Sequence, residues 1–211
     1  MKIKDYRNTE FCKKMTKISR KKNNLKKIIK KEHPRTQIYY NIISKFYREK
    51  FNFIYNDKCV YCGASKKTLG VDRLEIDHFI HESSFNSKKE AGEIENLVTA
   101  CYACNRRKGS FRIINSRKFN PDLRAFKKLF YRSSDYSIKI SYRYLKDSEV
   151  QEFYNILKLG ADFRKLDFLM LRLLNLREKL KKLGNREEEL QKINESFMEL
   201  MEKRNNINPL S

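Results

Sequence analysis

Apolar residues along this chain follow three patterns, and each predicts a different element. After the His33-Pro34 boundary, in TQIYYNIISKFYREKFNFIY, residues Ile38, Ile42, Ile43, Phe46, Tyr47, Phe51 and Ile54 recur at roughly helical spacing. A helix with one apolar stripe is predicted there, its aromatics serving as core. Toward the end, Leu166, Leu169, Leu173, Leu176, Leu180 and Leu183 alternate steps of three and four. Gly184-Asn185 breaks the seam, and Leu190, Ile193, Phe197 and Leu200 resume it, which predicts two antiparallel helices joined by a short turn. A hairpin this short needs a surface to dock on, either the core of its own chain or another chain.

The middle of the chain has a different texture. VDRLEIDHFI reads as a short strand running into a loop, and ENLVTACYACNRRK as a loop and a cysteine knuckle entering a helix. Gly63 and Gly70 mark tight turns, Asn120-Pro121 closes the region, and a short helix followed by a strand around SIKISYRY comes next. Residues 1–31 carry few strong apolar positions among their lysines, so they are expected to form a flexible or weakly helical arm, lying along phosphates or merely solubilising. The resulting division is a basic arm over 1–35, a cysteine-framed domain over 36–122 and a mainly helical region over 123–211.

Charge sharpens this division. Lys and Arg number 48 against 26 Asp and Glu, a formal net charge of +22, which makes a polyanion, nucleic acid before an anionic membrane face, the expected partner. Residues 1–31 hold 13 basic and 2 acidic side chains, whereas residues 161–211 hold 11 and 9. The helical tail is therefore a poor nucleic-acid ligand and a plausible protein interface. No stretch approaches a membrane span, and the N-terminus lacks the apolar core of a secretory signal, so a cytoplasmic, reducing location is expected.

In a reducing compartment, cysteines paired as C-x-x-C point to metal before disulfides. Cys59-x2-Cys62 and Cys101-x2-Cys104 supply four thiolates for one tetrahedral zinc, a closed set with no position for substrate and hence a structural site. Cys12 is left as a spare thiol. Between and just after the knuckles lie the groups that phosphodiester hydrolysis needs. Asp77 and Asn105 offer hard oxygens for Mg²⁺ or Mn²⁺, His78 an imidazole base, and Lys108, Arg106 or Arg107 a cation. Taken singly, Asp77-His78 could be a turn pair, Asn96 an Asx-turn residue and Asn105 a helix N-cap. His81, three residues after His78, could contact phosphate but reads better as loop filler.

The order Cys59-x2-Cys62, EIDHFI, ENL, Cys101-x2-Cys104-Asn105-x2-Lys108 resembles the HNH endonucleases, in their four-cysteine subclass of the ββα-metal nucleases. The resemblance covers about residues 55–112. It implies an α+β fold with a ββα-metal core built on the zinc site, flanked by the basic arm and helix and by the C-terminal helical hairpin. It further implies that His78 is the general base, Asp77 and Asn105 the ligands of the catalytic metal, and Asn96 the residue that orients the base-bearing loop. His81 replaces a proline common in the family, and Asn105 is one of two residues the family uses at its position.

A metal-dependent endonuclease acting on DNA is thus the expected function, with a non-catalytic, zinc-stabilised nucleic-acid-binding adaptor as the alternative. The leucine-seamed tail suggests an effector that self-associates or docks on a partner, as in antiphage defence or restriction.

Overall fold

Lysines that look unattached in the sequence are built into the fold. The computed structural model describes residues 5–9, 15–69 and 74–207; Cys12, the turn at Gly70 and the start of the predicted strand, residues 71–73, lie outside them. Within the expected arm, Ile18–Glu32 is a regular helix, α1, that buries Ile18, Lys22, Leu25 and Ile29 on one face. The spacing of four, three and four was obscured because one of the four positions is a lysine. Lys22 Nζ donates to Asp122 at 2.6 Å and to the carbonyl of Glu95 at 3.2 Å, so its charge is paired inside the protein. Upstream, Arg7 is buried against Asp5 and donates to the carbonyls of Val60 and Pro121. The described part of the arm, expected to be flexible or weakly helical, is therefore a regular helix and an upstream segment tied to the core.

The predicted apolar helix runs from α2 (Tyr39–Ile42) through a π-helical turn (Ile43–Tyr47) into α3 (Arg48–Ile54). Ile43, Tyr47 and Phe51 are buried. Their strict four-residue spacing drifts off the face of a 3.6-residue helix, and the wider turn brings them back into line. Phe46, read as core from the sequence stripe, is instead exposed, as is Phe53.

Next comes the short helix α4 (Lys66–Leu69), then strand β1 (Leu74–His78), helix α5 (Lys88–Ala91), strand β2 (Leu97–Cys101) and helix α6 (Tyr102–Lys108). Strands β1 and β2 pair antiparallel, with Leu74 opposite Cys101 and His78 opposite Leu97, and α6 packs against both. The sequence pattern showed β1 but read residues 97–101 as loop and knuckle. Strand β2 is buried at all five positions, so it offers no polar–apolar alternation to recognise.

The first knuckle docks on this hairpin through Val60 N, which donates to Thr99 O at 2.9 Å. Gly63 ends that knuckle with φ +80°, and a Cβ there would lie 2.7 Å from the Arg7 backbone, so only glycine lets the N-terminal segment pass.

Downstream, α7 (Ser116–Phe119), the two-stranded pair β3 (Phe130–Arg132) and β4 (Ile138–Ile140), and α8 (Ser148–Ile156) close the core. Phe119, Phe126, Phe130 and Phe153 form its aromatic centre, with ring centroids 4.9 to 6.3 Å from that of Phe153. The tail is the expected hairpin, α9 (Asp162–Lys181) and α10 (Glu187–Asn205), packed on each other.

The register of α9 differs from the leucine seam. Phe163, Arg164, Asp167, Phe168, Met170 and Leu171 are buried, while Leu166, Leu169, Leu173, Leu176 and Leu180 are half-buried and Leu183 is exposed. No helix among the described residues is long and apolar enough to cross a membrane.

Candidate active site

The four predicted zinc ligands converge. Cys59, Cys62, Cys101 and Cys104 are all buried and unbridged, and their sulfurs lie within 4.8 Å of one another. Two thiol pairs from two chain segments, brought that close without disulfides, fit a single tetrahedral zinc. This cluster fixes the start of α6 relative to the first knuckle, and through α6 it sets the place of Asn105.

Against β1 and α6 lies an open polar cleft of about 280 Å³, lined by Tyr40, Asp77, His78, His81, Asn105 and Arg106 among others. His78, at the last position of β1, has its ring centroid 4.5 Å from that of Tyr40. Burial holds the imidazole below its usual pKa of 6.5, against the pull of Glu82 and with help from the positive Lys108 and from His81. It is therefore neutral at pH 7 and able to accept a proton.

Asp77 is 5 % exposed. Its Oδ2 accepts from Tyr61 Oη at 2.7 Å, and its Oδ1 lies 3.2 Å from Lys108 Nζ. Burial raises its pKa to about 6 despite the lowering effect of Lys108 and of the Tyr61 hydrogen bond; Glu75 adds a smaller rise. Each carboxylate oxygen can accept more than one partner, so both retain capacity for a cation.

Asn105 donates from Nδ2 to Glu75 Oε2 at 2.6 Å, which leaves its Oδ1 as the amide's acceptor. Asp77 and Asn105 thus bring hard oxygens to one cleft, a donor set that suits Mg²⁺ or Mn²⁺.

Asn96 does not line the cleft. It is buried, accepts from Ile80 N at 2.9 Å, and donates to Ile80 O at 3.0 Å and Ala91 O at 2.9 Å. Its own carbonyl accepts from Phe79 N at 2.7 Å, so this one residue pins the two that follow His78. His81 accepts from Ser83 N and shares a 2.8 Å hydrogen bond with Ser83 Oγ, which gives it a place as the cap of a 3₁₀ turn at the cleft rim.

Lys108 is not where a phosphate could reach it. Only 3 % exposed, it donates to the His78 carbonyl at 2.9 Å and pairs with Asp77. It faces back into the strand because α6 packs against β1, so it braces His78 and Asp77 from behind. Of the three cations considered, the exposed Arg106 lines the cleft. Arg107 packs over the Phe163 ring, 5.7 Å from its centroid.

Residues 59–111 match the HNH endonuclease family. The match takes in about a quarter of the 211 residues and contains both knuckles, both strands of the hairpin and α6. No curated protein and no solved structure matches the chain. The matched segment contains the ββα arrangement and the four-cysteine cluster that could hold a metal, and its similarity is to a nuclease-type domain.

Sequence reasoning missed four side chains that shape this site. Glu75 had a signal, since two residues before Asp77 on a strand means the same face. Tyr61, inside the first knuckle, and Tyr40, in the helical segment before it, carried no signal of their own in the sequence. Nothing in the sequence marked Arg164, on α9, as a neighbour of the cysteines.

Proposed function

We propose that the chain is a divalent-metal-dependent endonuclease that hydrolyses DNA phosphodiester bonds. The observation that carries this is the shared cleft. A neutral imidazole on His78, the oxygens of Asp77 and Asn105, and the exposed Arg106 border one open space within the HNH segment. His78 takes the proton of the attacking water, and burial of its ring keeps it ready to do so. Mg²⁺ or Mn²⁺ held by Asp77 and Asn105 would supply Lewis-acid charge at the scissile phosphate and leaving oxygen. Arg106 opposes phosphate charge from the rim, while Asn96 and Lys108 hold the strand end in place without touching substrate. The four cysteines would hold structural zinc.

The rival is an adaptor that binds nucleic acid without cutting it. Incubating the purified protein with supercoiled plasmid in Mg²⁺, in Mn²⁺ and in EDTA separates them. Metal-dependent nicking or linearisation is expected; binding at low salt with an intact plasmid under both metals would favour the adaptor.

We place this activity in antiphage defence or restriction, on the contrast between a strongly basic nuclease half and a nearly neutral helical tail suited to protein control. Loss of plaque reduction in cells expressing His78→Ala, where the parent reduces plaques, is the expected result. No plaque reduction by the parent would refute the placement, and equal protection by both would refute the role of cleavage in it.

A further inference from the structure

Arg164 is a buried cation with an unusual set of partners. It is 2 % exposed and lies near the start of α9, far in sequence from the HNH segment. Nη1 donates to Cys62 Sγ at 3.0 Å and Cys101 Sγ at 3.5 Å. Nη2 donates to Cys104 Sγ at 3.1 Å and to the carbonyl of Leu157 at 3.2 Å. Among the described residues, no carboxylate is within ion-pair distance of it. Asp167, one turn along α9, is taken by Arg204 of α10 at 3.0 Å.

A guanidinium cannot shed its proton in a protein, and an uncompensated buried charge is too costly to keep. The sulfurs must therefore supply the opposite charge. Four thiolates around one Zn²⁺ leave a net charge of −2, and Arg164 compensates half of it. The same fork spans two knuckles, so it also holds their sulfurs in a fixed relation.

We propose that Arg164 is the counter-cation of the tetrathiolate zinc centre, so that metal occupancy and docking of the α9–α10 hairpin are one linked equilibrium. Zinc draws the guanidinium in, and the guanidinium brings α9; α10 follows through Asp167 and Arg204. The tail is then part of the metal centre rather than an appendage, and removal of zinc releases it.

The test uses the full chain loaded with zinc, and none of its measurements depends on DNA cleavage. Arg164→Met, Arg164→Lys and Arg204→Met are compared for zinc transfer to a chromophoric chelator. The thiolate-to-metal charge-transfer band of the cobalt-substituted proteins is recorded, as is protease cutting within residues 162–205 before and after chelation. Arg164→Met should lose zinc roughly 10–100-fold more readily and shift the cobalt band, as expected when an outer-shell partner is removed.

Arg164→Lys should fall between it and the parent, because charge is kept but the fork is lost. Arg204→Met should loosen the hairpin and leave the cobalt band unmoved. Chelation should expose the hairpin of the parent to protease. If Arg164→Met is not recovered folded, the lysine variant carries the metal measurement alone. Zinc transfer and a cobalt band identical to the parent's in the recovered Arg164 variants, or a hairpin equally protected after chelation, would overturn the proposal.

Discussion

Replacing Lys108 by Met removes the only cation paired with Asp77 among the described residues, and does so where both partners are buried. The methionine fills the space of the lysine stem, so packing is nearly conserved and the electrostatic loss is isolated. Breaking a buried pair on one side costs about 3–5 kcal/mol, because the remaining charge is stranded. The vacated hydrogen bond to the His78 carbonyl adds to that cost, at about 1 kcal/mol.

The pH dependence identifies the cause. Asp77 already has its pKa raised to about 6 by burial, and loss of Lys108 raises it further. A carboxyl with a raised folded pKa contributes stability that is fully present below the unfolded value and lost as pH rises through the folded one. The deficit of Lys108→Met should therefore be largest at pH 8 and shrink below about 6, where Asp77 is protonated in both proteins. Urea unfolding midpoints in excess zinc at pH 8 and pH 5.5 measure it, and Lys108→Met/Asp77→Asn should recover most of the loss. An equal deficit at both pH values, or no recovery in the double variant, would refute the assignment of Lys108 as a buried partner of Asp77.

Asn96→Ala should cost about 2–3 kcal/mol in the same assay, since it strands the amide and carbonyl of Ile80, and it should slow plasmid cleavage while zinc content stays at one per chain. Cleavage by the parent should rise with pH and level off at an inflection below 6.5, because burial lowers the pKa of His78 and only its neutral form accepts a proton; a single-turnover rate profile over pH 5–8 shows it.

The elements that came through from the sequence are those whose burial is one-sided. The α9–α10 hairpin and the helix before the first knuckle repeat at helical spacing because each turns one face inward. Strand β2 did not come through, because it is buried on both faces. The partition of α9 between the core and α10 was equally hidden, since a leucine seam does not say which face meets which neighbour. At the site, the cysteine knuckles were legible because thiolate metal ligation restricts residue type and spacing, and Asp77, His78 and Asn105, singled out by their order between and after the knuckles, do line one cleft. The side-chain directions were not legible. Lys108 follows Asn105 by three residues and read as a cation for the phosphate, but the packing of α6 against β1 turns it inward and leaves Arg106 at the rim. Long-range partners such as Arg164, 60 positions from Cys104, leave no local trace.

The central claim is that His78 activates water in a metal-dependent cut, and single-turnover cleavage of supercoiled plasmid in Mg²⁺ by His78→Ala is its most direct test, with zinc content and unfolding midpoint matched to the parent. A loss of roughly 10²–10⁴-fold is predicted for removal of a general base. Cleavage by the variant at the parental rate would contradict the claim.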